Sequence, residues 1–336
     1  MTSPATRTGP PTQTSAPVQQ RRANRSRLVR DYGIIISIGV LVLLLSVSTD
    51  TFLTAGNLRN LVDQMAVVGI LACGATLCII SGIFDLSTSA VLAVSAVVGV
   101  FATQSLGVGA GFAVAIAVGA ALGALNGVVV TGIGVHSFIA TLASGIVFRG
   151  IAVLLTGGAI VYPLAHQLAD FRILSYPVQP IGLTLASWLF LAVVAVTWLL
   201  LSRTTFGRGL YAVGGNAEAA RLSGINVNRV RILAMTISGV CAALAGLVLA
   251  SRGGSAQASL GTGLELTAIA ATVVGGTSIM GGEGAIWRAA AGVLILQLFG
   301  NGFNLLGWDT TYQQVLTGSL ILIAVSVDQV LRRKRR

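Results

Sequence analysis

Residues 32–49, 64–82, 89–105, 108–131, 138–156, 181–201, 230–252, 265–282, 285–303 and 311–331 are ten stretches in which apolar residues run almost unbroken. A helix of about 20 apolar residues crosses a hydrocarbon layer of about 30 Å. No water reaches that layer to partner a peptide group, so each stretch must satisfy its backbone internally. The pattern predicts an all-α, polytopic membrane protein with about ten transmembrane helices. With 54% hydrophobic and 9% charged residues, the chain has more apolar surface than a water-soluble core takes up. Forty-two glycines suit membrane helices that approach closely. The third and fifth stretches are short, which points to helices that are broken or only partly enter the membrane.

Residues 1–30 are a different material, rich in Ser, Thr, Pro and Gln and then basic; they are expected to be a disordered tail. The apolar run after them lacks a small-x-small cleavage site, so it reads as a retained signal-anchor. Residues 31–331 form the membrane domain, and "RRKRR" at 332–336 is a basic tail. The net charge of +11 is a topology signal rather than a nucleic-acid surface. With the N-terminus inside, ten spans put both basic ends and Arg203, Arg208, Arg221, Arg229, Arg231 and Arg288 on the cytoplasmic side. Only Arg59, Arg172 and Arg252 then lie outside, as the positive-inside rule requires.

Catalytic chemistry has little to stand on. No Gly-x-x-x-x-Gly-Lys-Ser/Thr loop is present, and Lys334 is the only lysine, so ATP hydrolysis belongs to another protein. His136 and His166 lack metal-ligand spacing. Cys73, Cys78 and Cys241 sit in apolar runs as small buried residues. No directly bound cofactor or metal is expected.

One cytoplasmic stretch interrupts the apolar text: "GGNAEAARLSGINVNR", residues 214–229. Asn216 can cap a short helix, Glu218 suits its first turn, Arg221 its last, and Gly224 can end it in the left-handed conformation. Two turns are marginal in water, so a partner on the cytoplasmic side is expected to hold them. "EAARLSG" matches the EAA-xxx-G pattern in the coupling loop of ABC importer permeases. The wider text resembles the ribose/xylose/arabinose/galactose permease family. "ISGIFDLSTSAVLAVSAVV" is similar to that family's Gly-x-x-Asp-Leu-Ser segment. "LNGVVVTGIGVHSFIATLASGIVFRGI" resembles its Asn-Gly and Phe-Ile-Ala-Thr-Leu segments, and "ELTAIAATVVGGTSIMGGEGAI" its Gly-Gly-Thr-Ser segment. The four motifs run in order over roughly residues 50–330. Two departures bear on the solute: Thr88-Ser89-Ala90 replaces the usual Val-Gly-Ser/Ala, and His136-Ser137 stands where Pro-Pro is common.

The resemblance implies a permease subunit in a bacterial plasma membrane, importing a monosaccharide, with both termini cytoplasmic. It implies a cytoplasmic ABC ATPase that uses the ATP, a second permease copy or paralogue, and an extracytoplasmic sugar-binding protein. It assigns Glu218, Ala219, Ala220, Arg221 and Gly224 to ATPase coupling. A nucleoside, polyol or inositol, autoinducer-type furanose or branched-chain amino acid remains open as cargo. An ion-coupled secondary transporter would need a pair of buried acids, and none stands out.

Spans two to five and seven to ten echo each other. "DLSTSAVLAV" parallels "ELTAIAATVV", Asn126-Gly127 parallels Asn301-Gly302, and "TLASGI" parallels "VLTGSL". Partners five spans apart must be inverted, and inverted repeats place a solute path at their interface. Candidate lining residues are Asn126, Thr141, Ser144, Gln297, Asn301 and Asn304. The last three share one helix face. Asp85 and Arg149 are structural or gating candidates: Asp85 is expected in an inner loop, meeting water or capping the next helix, and Arg149 near the outer end of span five, where it can snorkel, with a gating salt bridge as the alternative. In a cysteine-free variant, a single cysteine at position 170 should react with an impermeant maleimide from outside, and one at 218 only once the inner face is opened. Reaction of 170 only from inside would refute the topology.

Overall fold

The computed structural model describes the backbone of residues 16–309 and of 312, 315, 318, 319 and 322, with side chains from residue 32 onward. The expected tenth span, 311–331, and the basic tail at 332–336 lie almost wholly outside the described residues.

The chain is helical almost throughout. The helices are α1 (Ala16–Ser48), α2 (Ala55–Ile80), α3 (Thr88–Leu106), α4 (Val108–Val128), α5 (Ser137–Thr156), α6 (Leu168–Phe171), α7 (Leu185–Arg203), α8 (Thr205–Gly215), α9 (Ala217–Leu222), α10 (Val227–Gly253), α11 (Leu264–Val274) and α12 (Ile286–Leu305). A two-residue hairpin, β1 (Pro177–Val178) and β2 (Leu183–Thr184), pairs antiparallel. Among the described residues seven helices are long and apolar enough to cross a membrane, and Tyr32–Ser48 and Leu264–Val274 are shorter apolar helices. Helix α1 begins inside the stretch expected to be a disordered tail.

Three expectations about span shape change. Span five is unbroken, a continuous helix of 20 residues. Span eight, expected over 265–282, stops at Val274. Gly276 adopts φ +80 there, its N–H donates to Val273 O at 2.7 Å, and Thr277 N–H reaches Thr272 O at 3.1 Å. That left-handed cap satisfies the last carbonyls and turns the chain into a loop over 275–285. The segment before span seven holds two helices rather than one, because Thr204 accepts from Gly207 N–H at 3.1 Å and starts α8.

Helix α10 is the hub, packing against α4, α2 and α3. The α4–α10 crossing is glycine on glycine. A Cβ on Gly239 would run into the Gly119 carbonyl, and one on Gly123 into the Met235 carbonyl. Lipid offers no hydrophobic gain to helix association, so such backbone contact supplies the dispersion that holds the pair. Cys73, Cys78 and Cys241 are free and buried in this core. In contrast α5 and α7 turn most of their surface outward.

The hairpin end is tied by Asp63 of α2. Its Oδ1 accepts from Thr184 Oγ1 at 2.7 Å and from the Ser187 hydroxyl, while Arg252 donates to its backbone carbonyl. This fixes the start of α7 at Leu185 rather than 181. We expect Gly239→Val to cost about 1–3 kcal/mol or more by overpacking, read as a lower unfolding temperature in detergent. Gly150→Val, where a Cβ meets nothing within 4 Å, should unfold close to wild type.

Candidate functional site

The non-helical segment 82–87 connects α2 to α3, and one stripe of α5 holds it. Phe84 N–H donates to Ser137 Oγ at 3.0 Å, and Leu86 N–H to Thr141 Oγ1 at 3.0 Å. One turn further, Gly145 lies so close to Ser87 that a Cβ would stand 3.4 Å from the Ser87 Cα. After another turn Arg149 Nη2 donates to Ser89 Oγ at 3.0 Å. The four α5 residues are spaced by four, which stacks them on one helix face. Between Phe84 and Leu86 the segment gains two residues while α5 rises about 6 Å, so it climbs about 3 Å per residue, close to an extended strand. Ser87 therefore sits about 12 Å along a helix about 30 Å long. Irregular backbone at that depth is tolerated only where protein groups satisfy it.

Asp85 completes the support. The structure corrects its expected contact with water: the residue is buried, and its carboxylate is fully engaged by protein. Oδ1 accepts from Ser87 N–H at 3.1 Å and Ser87 Oγ at 2.6 Å, and Oδ2 from Ser238 Oγ of α10 at 2.8 Å. Asn126 of α4 donates Nδ2 to Ser87 Oγ at 2.7 Å. The carboxylate thus ties Ser87, just ahead of the first turn of α3, to α10, and the Ser87 hydroxyl brings in α4 through Asn126. Charge-assisted bonds of this kind are stronger than neutral ones.

Of the six candidate lining residues, Asn126 and Thr141 bond this segment, and Ser144 lies one turn beyond Thr141 on α5. Thr141 also donates to Ser137 O at 2.8 Å, and Ser144 donates to Thr141 O at 3.1 Å. The α12 amides form a separate group. Asn301 and Asn57 exchange hydrogen bonds at 2.7 and 3.1 Å, Gln297 reaches Gln64 O at 3.4 Å, and Asn304 is exposed. The amide face is therefore directed largely at α2. Arg149 does not snorkel: Nη1 donates to Ala258 O at 2.6 Å and Leu260 O at 3.1 Å, turning inward. Sequence reasoning missed Ser137, Gly145, Ser238 and Asp63. The four-residue spacing of Ser137, Thr141, Gly145 and Arg149 was a usable signal; the Ser238 contact, 153 residues from Asp85 in the chain, was not.

At the other end of segment 82–87 lies the short helix α9. Asn216 Oδ1 accepts from Ala219 N–H at 2.9 Å, and Gly224, at φ +84, ends the helix with Ile225 N–H on Ala220 O at 3.0 Å. Glu218 and Arg221 approach to 3.7 Å but are mostly exposed, so their ion pair adds little stability. Ala220 is buried and Leu222 is 82% exposed. Arg221, Gly224, Ile225, Asn226, Val227 and Asn228 line an open cleft of about 530 Å³.

The glycine end of α8, just before α9, meets two glycine turns of the interior without side chains between them. A Cβ on Gly214 would collide with the Ile80 carbonyl, and one on Gly281 would sit 2.9 Å from Gly214 O and 3.0 Å from Gly82 Cα. Gly282 N–H donates to Ile80 O at 2.9 Å, and Tyr211 Oη to Gly284 O at 2.8 Å. The glycines at 82, 214–215 and 281–282 thus bring three sequence motifs into backbone contact next to the Asn216 cap.

The sequence that folds into this helical arrangement matches a known family over most of its length. Residues 57–325 match the family described as branched-chain amino acid transport system / permease component. The chain belongs to this permease family. It is 40% identical over 299 residues to the ribose import permease protein of Escherichia coli strain K12, covering 88% of this chain and 92% of the relative. Against the ribose import permease protein of Bacillus subtilis strain 168 it is 39% identical over 322 residues, with 93% and 96% covered. Against the D-allose transport system permease protein of E. coli K12 it is 36% identical over 309 residues, with 90% and 92% covered. No solved structure matches the chain. The permease is thus a transport component rather than an ATPase.

Replacing Thr141 by Val leaves the half-buried Leu86 N–H without its Thr141 partner. It should cost about 1–3 kcal/mol, measured by thermal unfolding in detergent, while Ser144→Ala should change stability by less than about 0.5 kcal/mol.

Proposed function

We propose that the chain is the membrane-spanning permease subunit of an ATP-driven ABC importer for a monosaccharide of the ribose, allose or arabinose kind. The carrying observation is that relatives aligned over nine-tenths of the chain include two ribose import permeases at 39–40% identity, an allose permease and an L-arabinose permease. The family's own description names branched-chain amino acids, so leucine is the rival cargo. In this reading the protein sits in a bacterial plasma membrane with both termini cytoplasmic, and it pairs with a second copy or a paralogue.

The ATP-binding partner would dock on α9. An exposed Leu222, an outward Glu218 and Arg221, and the cleft beside them support a protein-sized contact there. Motion of α9 would pass through the glycine turns to segment 82–87 and so to Asp85, Asn126 and α5. The solute path would follow the seam of α5 with segment 82–87, past Thr141 and Ser144, more closely than the α12 amides Gln297, Asn301 and Asn304. An extracytoplasmic sugar-binding protein would meet the hairpin end, where Tyr162, Tyr176 and Ile181 are exposed.

Uptake into proteoliposomes containing the permease, its ATPase and its binding protein tests the cargo. Labelled ribose, allose, arabinose and leucine should separate, with one sugar transported only in the presence of ATP. Leucine uptake alone would overturn the sugar assignment. For coupling, Gly224→Val forces a β-branched residue into a left-handed turn, and Glu218→Arg reverses an exposed charge at the α9 N-terminus. Each should insert normally yet lower ATPase co-purification and ATP-driven uptake at least tenfold. Wild-type binding and uptake in both variants would show that α9 is only a connecting helix.

A further inference from the structure

We infer that Arg149 is a two-position latch that closes the hairpin end of the transport path; it is a positioning residue for transport, and the inference rests on the importer reading above. Arg149 joins three parts of the chain that share no covalent neighbourhood. From α5 it donates to the carbonyls of Ala258 and Leu260, in the stretch between α10 and α11, and to Ser89 in the first turn of α3. The starts of α3 and α11 are the echoing segments of the two halves, and this guanidinium bonds the first turn of α3 and the stretch just before α11. Leu92 of α3 closes over the same stretch, since a Cβ on Gly261 would lie 2.9 Å from its Cδ2.

All three acceptors are neutral, although a carboxylate is at hand. Glu265 stands in the first turn of α11, five residues along the chain from Leu260, whose carbonyl Arg149 holds. Its Oε2 is shielded from solvent and has no hydrogen-bond partner among the described residues. The fork of the guanidinium therefore has two sets of partners. In the arrangement seen here it clamps the Ala258 and Leu260 carbonyls onto α3 and α5. In the other it pairs with Glu265, a charge-assisted bond, and lets the 254–263 stretch move away from α5. Two discrete partner sets around one side chain are what a switching element requires. Pinning neutral carbonyls closes the path, and exchange to Glu265 opens it.

The test uses the complete transporter in right-side-out vesicles, with Cys73, Cys78 and Cys241 replaced by alanine and Ser144→Cys as reporter. Ser144 lies five residues from Arg149 toward the coupling end, and in the latch reading an impermeant maleimide added outside passes Arg149 on its way to it. With Arg149 present labelling should be slow, and ATP should accelerate it. Arg149→Met should raise the resting rate at least tenfold without ATP, and Arg149→Lys, which keeps charge but loses the fork, should fall between. Glu265→Gln leaves all three Arg149 bonds in place; it should label as slowly as the parent and lose the ATP response. A lowered unfolding temperature with unchanged labelling in Arg149→Met would make Arg149 a structural brace and overturn the latch. A normal ATP response in Glu265→Gln would overturn the exchange. The resting-rate comparison needs neither ATP nor solute, so a parent transporter that ignores ATP would count against the importer reading alone.

Discussion

A peptide group inside lipid must find its partner within the protein, and segment 82–87 is where this chain meets that demand outside a helix. Phe84 and Leu86 place their N–H groups on two α5 hydroxyls, and Ser87 on Asp85. An unpartnered amide at that depth costs several kcal/mol. The position of α5 against α3 therefore follows from hydrogen bonding as much as from packing. Because Asp85 also takes Ser238, and Ser87 takes Asn126, α4 and α10 are drawn into the same arrangement. The start of α3 inside the bundle, the central place of α10 and the inward turn of Arg149 all depend on it.

Glycine does the complementary work. Where α4 crosses α10, and where the turns at 82, 214–215 and 281–282 meet, backbone touches backbone. Contacts of this kind have no flexible side chain to absorb a displacement, because close-packed interiors are stiff. In the coupling proposed above, a push on α9 would reach the Ile80 carbonyl and Gly82 through the glycine end of α8. The hydroxyl and carboxylate ladder would then carry it along α5. Rigid contacts at one end and an exchangeable arginine at the other suit a protein that must move as a unit and open at one point.

Much of the fold was legible in the sequence. The long apolar runs fell on nine of the described helices, seven of them long and apolar enough to cross a membrane, although α2 starts at Ala55 rather than 64 and α11 stops at Val274 rather than 282. Asn216, Glu218 and Gly224 announced α9, because capping is a local matter of side chain and φ. Less legible was where span eight would stop, because Thr272 to Thr277 form a left-handed cap inside text that stays apolar. Helix α8 was missed for the opposite reason: its Gly-rich text resembles a loop, and it is held by contact with Ile80 and Gly284.

Asp85 and Arg149 divide what the sequence decides from what the tertiary structure decides. The sequence alone marked both as costly charges in an apolar chain, because desolvation penalises any ion in lipid regardless of its neighbours. It also determined the class of protein, since composition and span length leave no soluble alternative. Which groups answer those charges was decided only in three dimensions. Ser238 lies 153 residues from Asp85, and Ala258 lies 109 from Arg149. Hydrogen bonds act over about 3 Å, and no periodicity along one segment encodes a contact that depends on how α10 and the stretch after it fold back against α3 and α5.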